Sequence, residues 1–319
     1  MKIAVAEGDG IGKEVVPPCI DVLELLLEDV EFITVEIGYA KWMREGLPIT
    51  EEDIELIKQA DCMLAGAVTS VPGHSVVVRL RKAFDLFANL RPFTSYALTP
   101  YGLDLIMIRE NLEGLYFGKE ELSPDRAVTE RVITRSNTER LATFASALEG
   151  VEMVTIVHKA NVLKSDVLFR DVCARVLQKH GVRYNEMYVD AAAYNLIKHP
   201  DKFSCILTSN LFGDILSDEA AALVGSLGLC PSANIGPDFA VFEPIHGSAP
   251  DLAGTGRANP IGAILSAKML LEWSGQYDKA ALIDASVRQT LKNGIMTPDL
   301  GGKSSTADVA HEIVRIIEG

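Results

Sequence analysis

The sequence predicts an α/β protein whose strands are largely parallel. Short β-prone runs alternate with helical patterns over most of the 319 residues, and this alternation is typical of parallel sheets covered by helices. Near the C-terminal end, helical patterns follow one another without strands between them. We expect these helices to cover a sheet built earlier in the chain. The length is sufficient for two domains or for one large α/β unit.

The individual elements follow, in chain order, from hydrophobic runs and from apolar residues at helical spacing. Pro17 and Pro18 should kink or split the first helix. The predicted strands are Lys2–Glu7, Phe32–Ile37, Cys62–Val68, Leu103–Arg109, Met153–Val157, Arg183–Val189 and Cys205–Thr208. The predicted helices are Lys13–Leu27, Thr50–Gln59, Val162–His180, Asp214–Leu227, Pro260–Trp273, Lys279–Asn293 and Thr306–Glu318.

Three further segments connect or leave these elements. The chain is expected to cross between domains at Asn89–Pro92 and within Gly225–Gly236. Turn residues followed by β-prone residues predict that Phe117–Thr134 forms an arm that projects from the body.

Composition limits the class of protein and its compartment. With 48% hydrophobic and 23% charged residues, the chain can fill a sizeable core and stay soluble. Its net charge of −14 argues against nucleic acids and anionic membrane surfaces as partners. The five scattered cysteines form no C-x-x-C pair, which indicates reduced, mostly buried thiols in a cytoplasmic protein. We expect neither a signal peptide nor a membrane span, because every apolar run is too short.

Two aspartates, Asp214 and Asp218, lie four residues apart at the start of a predicted helix. The apolar residues Leu216, Ala220, Leu223, Val224 and Leu227 would face the core, so the two acids share another face. Two close carboxylates suit a hard divalent cation, because each repels the other without one. The alternative is that they only complement the helix dipole.

The first turn, Gly8–Gly12, follows a strand and precedes a helix. Its spacing is G-x-G-x-G, whereas the dinucleotide fingerprint is G-x-G-x-x-G, so the indication of a Rossmann fold is weak. Either the glycines let the backbone approach a ligand, or they form a simple turn.

Arginines are concentrated in Arg79–Pro92, and Arg109 ends a strongly apolar strand. Since a guanidinium matches a carboxylate with two parallel hydrogen bonds, arginines at strand and helix ends predict a substrate with more than one carboxylate. Surface salt bridges are the alternative, and they suit Arg79 and Lys82 better than Arg109.

Groups that can move protons occur in two further segments. Tyr116 lies in the run from Gly114 to Gly118, and Lys159 ends an apolar strand. A poorly solvated lysine is a usable base, because the neutral amine is then favoured. Asp190 is another acid at a strand end.

The segment Phe242–Gly254, followed by Asn259-Pro260, is rich in small residues and turns and contains His246 and Asp251. A carboxylate placed there could accept both hydroxyls of an adenosine ribose and would repel a 2′-phosphate.

Together these segments resemble the β-decarboxylating dehydrogenases, which include isopropylmalate, isocitrate, homoisocitrate and tartrate/malate dehydrogenases. The matching runs span nearly the whole chain in the family's order. They are Gly8–Gly12, Leu80–Pro92, Arg109-Glu110, Tyr116–Gly118, Lys159–Asn161, Asp190, Asn210–Asp218, Glu243–Gly254 and Asn259-Pro260.

The resemblance implies a two-domain isopropylmalate dehydrogenase-like fold, with a twisted sheet shared by both domains, and not a standard Rossmann fold. Residues 1–94 and 228–319 would form the large cofactor-binding domain. Residues 95–227 would form the small domain, which mediates dimerisation and binds metal and substrate. It also implies a homodimer or a higher homo-oligomer, in which each interdomain active site is completed by the partner.

The resemblance also implies the roles of individual residues. The substrate carboxylates would meet Arg81, Arg91 and Arg109, and Tyr116 would be the catalytic tyrosine. The other subunit would donate Lys159, the base, and Asp190. The metal ligands for Mg²⁺ or Mn²⁺ would be Asp190, Asp214 and Asp218. The cofactor site would contain Gly10, Ile11, Glu243, His246, Gly247, Ser248, Ala249, Asp251 and Asn259.

The cofactor and substrate are inferred from positions that vary in the family. Asp251 occupies the position at which NAD-specific members of the family carry an aspartate, so NAD is favoured. The substrate's variable group should meet Ser75, Val77 and Val78, since two valines form an apolar wall suited to an isopropyl group. The glutamate that isopropylmalate dehydrogenases carry is His74 here. The expected reaction is therefore the oxidative decarboxylation of 3-isopropylmalate to 2-oxoisocaproate, in leucine biosynthesis.

Other substrates and other classes stay open at this point. Homoisocitrate dehydrogenases tend to have an arginine near the position of the valines, and Arg79 is one position away from it. The alternative substrate is therefore homoisocitrate, isocitrate or another 3-substituted malate. A non-catalytic regulatory subunit or a two-domain binding protein is disfavoured, because the residues of the catalytic set are all present.

Overall fold

The computed structural model describes all 319 residues. The chain forms two compact units. Unit 1 consists of Met1–Phe84, Gly225–Ala233 and Pro237–Gly319, and unit 2 consists of Asp85–Val224 and Asn234–Gly236. This division begins unit 2 ten residues before the predicted boundary at 94/95, and it returns residues 225–227 to unit 1.

Twelve strands and twelve α-helices make up the chain. The strands are β1 (Lys2–Ala6), β2 (Glu31–Thr34), β3 (Cys62–Ala65), β4 (Ala88–Thr94), β5 (Asp104–Glu110), β6 (Glu120–Leu122), β7 (Ala127–Thr129), β8 (Met153–His158), β9 (Arg183–Tyr188), β10 (Cys205–Thr208), β11 (Pro231–Ile235) and β12 (Ala240–Pro244). The helices are α1 (Gly12–Val15), α2 (Pro17–Leu26), α3 (Tyr39–Glu45), α4 (Glu51–Ile57), α5 (Val76–Ala83), α6 (Arg135–Ala147), α7 (Lys164–Lys179), α8 (Val189–Lys198), α9 (Asn210–Val224), α10 (Ile261–Trp273), α11 (Tyr277–Lys292) and α12 (Thr306–Glu318).

Unit 1 is built on strands in the order β2-β1-β3-β12-β11, and β1 pairs parallel with both β2 and β3. The strands β1 and β3 read as continuous apolar runs because helices cover parallel strands on both faces. Helix α10 contacts β3 and β12 and is almost entirely buried. The C-terminal helices therefore cover strands formed earlier in the chain, as expected.

Unit 2 has strands in the order β4-β5-β10-β8-β9. The pair β4 and β5 is antiparallel, whereas β10 pairs parallel with β5 and with β8, and β8 pairs parallel with β9. Helix α9 packs on β4 and β5. The parallel strands β5, β8 and β10 end on the same side, and this brings polar residues at their carboxyl ends to one edge of the sheet.

The predicted α/β fold is confirmed, including the first helix, which is split between α1 and α2 at Pro17. Strand β11 belongs to both units, because the chain passes from unit 1 to unit 2 after Ala233. The arm predicted at Phe117–Thr134 contains the antiparallel pair β6 and β7. All five cysteines are buried and none forms a disulfide. None of the helices has the length and apolar character needed to cross a membrane.

Two expectations of the sequence analysis are wrong. Asn89–Pro92 does not carry a crossing, because β4 pairs along its whole length with β5, and the chain enters unit 2 earlier, after Phe84. Leu227 does not face the core: it lies beyond the end of α9 and is exposed. The chain turns at Gly225, whose φ of +119° ends the helical path.

Candidate active site

The acid pair lies on α9, inside unit 2. This helix begins at Asn210, four residues earlier than predicted, so Asp214 falls beyond the first turn, which contains no acidic residue. The dipole of the helix acts within its first turn, and it therefore does not explain the pair. Leu216 and Ala220 are buried on the opposite side, as predicted. The two carboxylates are left on the more exposed face, one helical turn apart.

Arg109 reaches α9 from the end of β5 and is only 2% exposed. Its Nη1 donates to Asp214 Oδ1 at 2.5 Å, and its Nε and Nη2 donate to Asn210 Oδ1 at 3.2 and 2.7 Å. A Cβ atom at Gly213 would lie 2.7 Å from Arg109 Cγ, so only glycine lets the arginine stem cross the helix. The run from Asn210 to Asp214 thus fixes the plane of the guanidinium.

Arg91 and Tyr116 complete this group around Asp214. Arg91 is buried on β4, donates from Nε to Asn89 Oδ1 at 2.5 Å, and places Nη1 3.9 Å from Asp214 Oδ1. Tyr116 follows β5 in the 3₁₀ turn Leu115–Phe117 and donates its hydroxyl to Asp214 Oδ2 at 2.9 Å. Two arginines, a phenol and a carboxylate thus converge at one edge of the sheet.

The electrostatics of the group are set by burial and by opposed charges. Burial lowers the pKa of the Arg109 guanidinium, and the charge of Asp214 counteracts this. Burial raises the pKa of Asp218; the charge of Asp214 adds to this rise, whereas Arg91 and Arg109 oppose it. A cation between the two carboxylates would relieve the repulsion that Asp218 experiences.

Lys159 and Asp190 form a second polar group in unit 2. Lys159 follows β8, and its Nζ donates to Asp190 Oδ1 at the start of α8. This hydrogen bond is the main cause that lowers the pKa of Asp190. Asp190 does not join Asp214 and Asp218, since no three His, Cys, Asp or Glu side chains of the chain are grouped to hold a metal ion.

The residues on α9 fit a hard divalent cation. Asp214 and Asp218 offer only oxygen atoms, which Mg²⁺ and Mn²⁺ prefer, and two carboxylates supply the negative charge. Because Mg²⁺ usually keeps several waters or substrate oxygens, two protein ligands from one chain are compatible with such a site.

The glycine turn of unit 1 is explained by packing within the chain. Gly8 and Gly10 have φ angles of +70° and +57°. A Cβ atom at Gly10 would lie 1.9 Å from Ser248 O, and the next residue, Ile11, donates its N–H to the same oxygen at 2.9 Å. The turn therefore holds the predicted cofactor residues Gly10, Ile11 and Ser248 together, and its glycines are needed for this close approach.

The loop after β12 is anchored at several points. Glu14 of α1 accepts hydrogen bonds from the N–H groups of Gly254 and Gly256, which ties the loop to unit 1. Asn259 is buried, accepts from Ile261 N at 3.0 Å and donates to Asp299 Oδ2 at 3.1 Å. Asn259 thus binds the first N–H of α10, and both ends of the loop are fixed.

Two observations indicate that this loop is suited to bind a nucleotide cofactor. His246 Nε2 is buried without a hydrogen-bond partner, and burial lowers the pKa of the ring, so the nitrogen is available to a ligand. A Cβ atom at Gly247 would meet nothing within 4 Å, so its lack of a side chain is not required by packing. Asp251 and Ala249 are exposed on the same loop, and Glu243 precedes it on β12.

The remaining predicted substrate residues lie on or beside α5, in unit 1. Ser75 is the N-cap of this helix and accepts from Val78 N at 3.2 Å. Val77 and Val78 are partly exposed, whereas Arg81 is buried. Arg79 pairs with Glu51, its Nη2 lying 2.5 Å from Oε1. The structure thus gives Arg79 a partner on its own unit.

Sequence reasoning assigned no role to Asn210, Asp166, Arg131 or Glu113, which hold the predicted residues in place. Asn210 Nδ2 donates to Glu113 O at 3.2 Å, and the Glu113 carboxylate accepts from the N–H and hydroxyl of Thr134 at the end of the arm. Polar residues inside otherwise apolar helical patterns, such as Asp166 on α7, were the available signal.

Comparison with known proteins gives matches over nearly the whole chain. A profile of the family described as isocitrate/isopropylmalate dehydrogenase matches residues 2–313. The chain is 47% identical to the 3-isopropylmalate dehydrogenase of Methanothermobacter thermautotrophicus, covering all of this chain and 99% of the relative. It is 46% identical to the homoisocitrate dehydrogenase of Methanocaldococcus jannaschii, covering 99% and 98%. The crystal structure of isocitrate dehydrogenase from Methylococcus capsulatus superimposes with a TM-score of 0.94 at 37% identity, over 100% and 99% of the two chains.

Proposed function

Since this chain belongs to the isocitrate/isopropylmalate dehydrogenase family and is a decarboxylating dehydrogenase, we propose that it converts 3-isopropylmalate to 2-oxoisocaproate with NAD and Mg²⁺ or Mn²⁺. The observation that carries the proposal is the group of Arg91, Arg109 and Tyr116 around Asp214, with Asp218 one turn further along α9. This group can bind a diacid, hold a cation and donate a proton.

The residues divide the chemistry between them. Arg91 and Arg109 bind substrate carboxylates, because each guanidinium is buried and oriented by an asparagine, Asn89 or Asn210. Lys159 takes the proton of the 2-hydroxyl. NAD would supply the hydride acceptor for C2, and Asp214, Asp218 and the partner subunit's Asp190 would hold a cation that would supply charge stabilisation to the C2 oxygen.

Tyr116 acts after the β-carboxylate has left as CO₂. Loss of CO₂ from the 2-oxo acid leaves an enolate, and the Tyr116 hydroxyl delivers a proton to its C3. The hydroxyl is held by Asp214 Oδ2 and lies beside Arg109, whose carbon Cζ is 5.8 Å from the ring centroid.

The active enzyme is proposed to be a homodimer. Lys159 and Asp190 would complete the site of the neighbouring subunit, which the family resemblance implies. Several apolar side chains on and near α8 and α9 support an interface there, because they are more than half exposed in the single chain. They are Val162, Tyr194, Ile197 and Ile215. A second copy would bury this surface beside Lys159.

The choice of 3-isopropylmalate rests on α5. Val77 and Val78 are available to contact the substituent on C3, and Arg79 is engaged by Glu51. An unpaired third carboxylate beside the valines would lose its hydration without gaining a partner. This substrate would place the enzyme in leucine biosynthesis, in the cytoplasm.

Homoisocitrate, isocitrate or another 3-substituted malate is the second candidate, and two observations favour homoisocitrate. The relative from Methanocaldococcus jannaschii bears the name homoisocitrate dehydrogenase at almost the same identity as the isopropylmalate relative. Arg79 is partly exposed, and its pairing with Glu51 could be exchanged for a third substrate carboxylate. In that case Arg79, and not the valines, would set specificity.

A substrate panel tests the proposal. NADH formation is measured with 3-isopropylmalate, homoisocitrate and isocitrate, with NAD or NADP and with or without Mg²⁺. We expect kcat/KM for 3-isopropylmalate to exceed that for isocitrate by about tenfold or more, because each buried CH₂ contributes about 0.8 kcal/mol. Val77→Asn should narrow this gap. If homoisocitrate or isocitrate is preferred and Arg79→Gln abolishes that preference, the second candidate replaces the first.

Cofactor preference gives an independent prediction. Asp251 is exposed on the loop after β12, and its carboxylate should hold the adenosine ribose hydroxyls and repel the phosphate of NADP. Asp251→Lys should therefore shift the ratio of kcat/KM values from NAD toward NADP by about tenfold or more. Asp238→Lys, a charge change elsewhere in unit 1, should leave the ratio unchanged. A wild-type enzyme that prefers NADP would contradict the role of Asp251.

A further inference from the structure

Asp166 is a fully buried carboxylate in the first turn of α7. An acid that only complements the dipole of a helix is ordinarily exposed to solvent, because burial of a charge is costly. Asp166 instead accepts the backbone N–H of Lys159 on Oδ2 at 2.7 Å, and its Oδ1 lies 2.7 Å from Nη2 of Arg131. Its charge is therefore directed at two other segments of unit 2.

Arg131 carries this connection further. Its Nη2 donates to Ser209 Oγ at 2.9 Å, and its carbon Cζ lies 5.0 Å from the ring centroid of Phe212. Ser209 directly precedes α9, and Ser209 O accepts from Gly213 N at 2.9 Å, next to Asp214. Arg131 thus holds the beginning of the helix that carries the acid pair.

The same arginine lies at the base of the arm. Its neighbour Val132 pairs with Gly114 through two backbone hydrogen bonds of 2.7 and 3.2 Å, and Tyr116 follows two residues after Gly114. The Asp166–Arg131 pair therefore joins three segments: the Lys159 loop, the start of α9 and the base of the arm with Tyr116.

We propose that Asp166 is a positioning residue, which by accepting the Lys159 N–H and pairing with Arg131 fixes the backbone of Lys159 for its role in the neighbouring subunit's site. A merely structural ion pair could lie anywhere in the core. This one bonds the backbone of the proton-accepting residue itself, so a shift of Asp166 moves Lys159 directly. The catalytic role of Lys159 in this inference rests on the proposed function, whereas the contact between the Lys159 N–H and Asp166 does not depend on it. A misplacement of about 1 Å in a catalytic group can cost 100-fold in rate.

The test compares Asp166→Asn/Arg131→Gln, Arg131→Lys and wild type. The double variant removes both buried charges, so that no unpaired ion is left to unfold the protein. We expect its kcat to fall 10- to 100-fold while KM for the diacid stays within about threefold, because the arginines that bind substrate are untouched. Arg131→Lys keeps the charge on Asp166 and should restore kcat to within about threefold of wild type.

A second readout does not need substrate. The Lys159 amide should exchange with D₂O at least about tenfold faster in the double variant than in wild type, measured by hydrogen exchange and mass spectrometry. Asp171→Asn is the matched control on α7, since this exposed acid pairs with Arg170 and lies outside the connection. It should change neither readout.

The outcomes separate the inference from the proposed function. A folded double variant with wild-type kcat would overturn the positioning role, whether or not the exchange of Lys159 changes. Unchanged exchange of Lys159 would overturn it as well, even if kcat falls. If the wild type turns over none of the diacids, the proposed function fails, and accelerated exchange still supports the attachment of Lys159 through Asp166.

Discussion

Asp218→Asn is expected to lower metal-dependent activity by about 100-fold or more while the protein stays folded. Groups that only orient a metal ligand already contribute 10- to 100-fold in affinity, so loss of a direct ligand should cost at least that. Partial burial and the neighbouring Asp214 raise the pKa of Asp218, so the native fold does not need its charge. The measurement is activity against Mg²⁺ or Mn²⁺ concentration, with thermal unfolding in parallel.

Asp218 is a cleaner target than Asp214. Asp214 is bound by Arg109 and Tyr116, and its removal would leave a buried guanidinium without its counter-ion. Glu219→Gln, at the next position of α9, is the control and should keep the metal dependence of wild type. Full wild-type activity in excess chelator would contradict a metal site on α9.

The sequence revealed seven of the twelve strands, and β4 is a missed strand that carries a site residue, Arg91. All seven predicted strands exist, since runs such as β1 and β10 are apolar and buried. Strand β4 was overlooked because it contains Asn89, Arg91 and Pro92, which are typical of loops. Its polar side chains are accommodated by one another, as Arg91 donates to Asn89 and Asn89 to Asn234.

The candidate site shows the same limit. Residue types at strand ends drew attention to Arg109 and Lys159, because polar groups after an apolar strand have few structural reasons to be there. The contacts between distant segments could not be predicted. Gly10 closes on Ser248, and Gly213 admits the stem of Arg109, only because the tertiary fold brings these segments together. The metal hypothesis for Asp214 gained support from structure, since α9 begins too early for the dipole to explain it.

Mixing two inactive variants is expected to restore activity if each active site is built from two chains. Lys159→Ala and Tyr116→Phe should each be slow alone, since each lacks one proton-transfer group in every site. In a symmetric dimer whose sites take Tyr116 from one chain and Lys159 from the other, every heterodimer has one intact site. Statistical exchange of equal amounts should then give about one quarter of wild-type activity.

A second mixture decides whether the recovery has this cause. Lys159 and Asp190 are hydrogen-bonded within one chain, so both should serve the same neighbouring site. Mixing Lys159→Ala with Asp190→Asn should therefore restore nothing, because each site of the heterodimer still lacks one of the two groups. Subunit exchange is verified in both mixtures by native mass spectrometry of tagged chains. Equal recovery in both, or none in the first after verified exchange, would show that Tyr116 and Lys159 do not meet across a dimer interface.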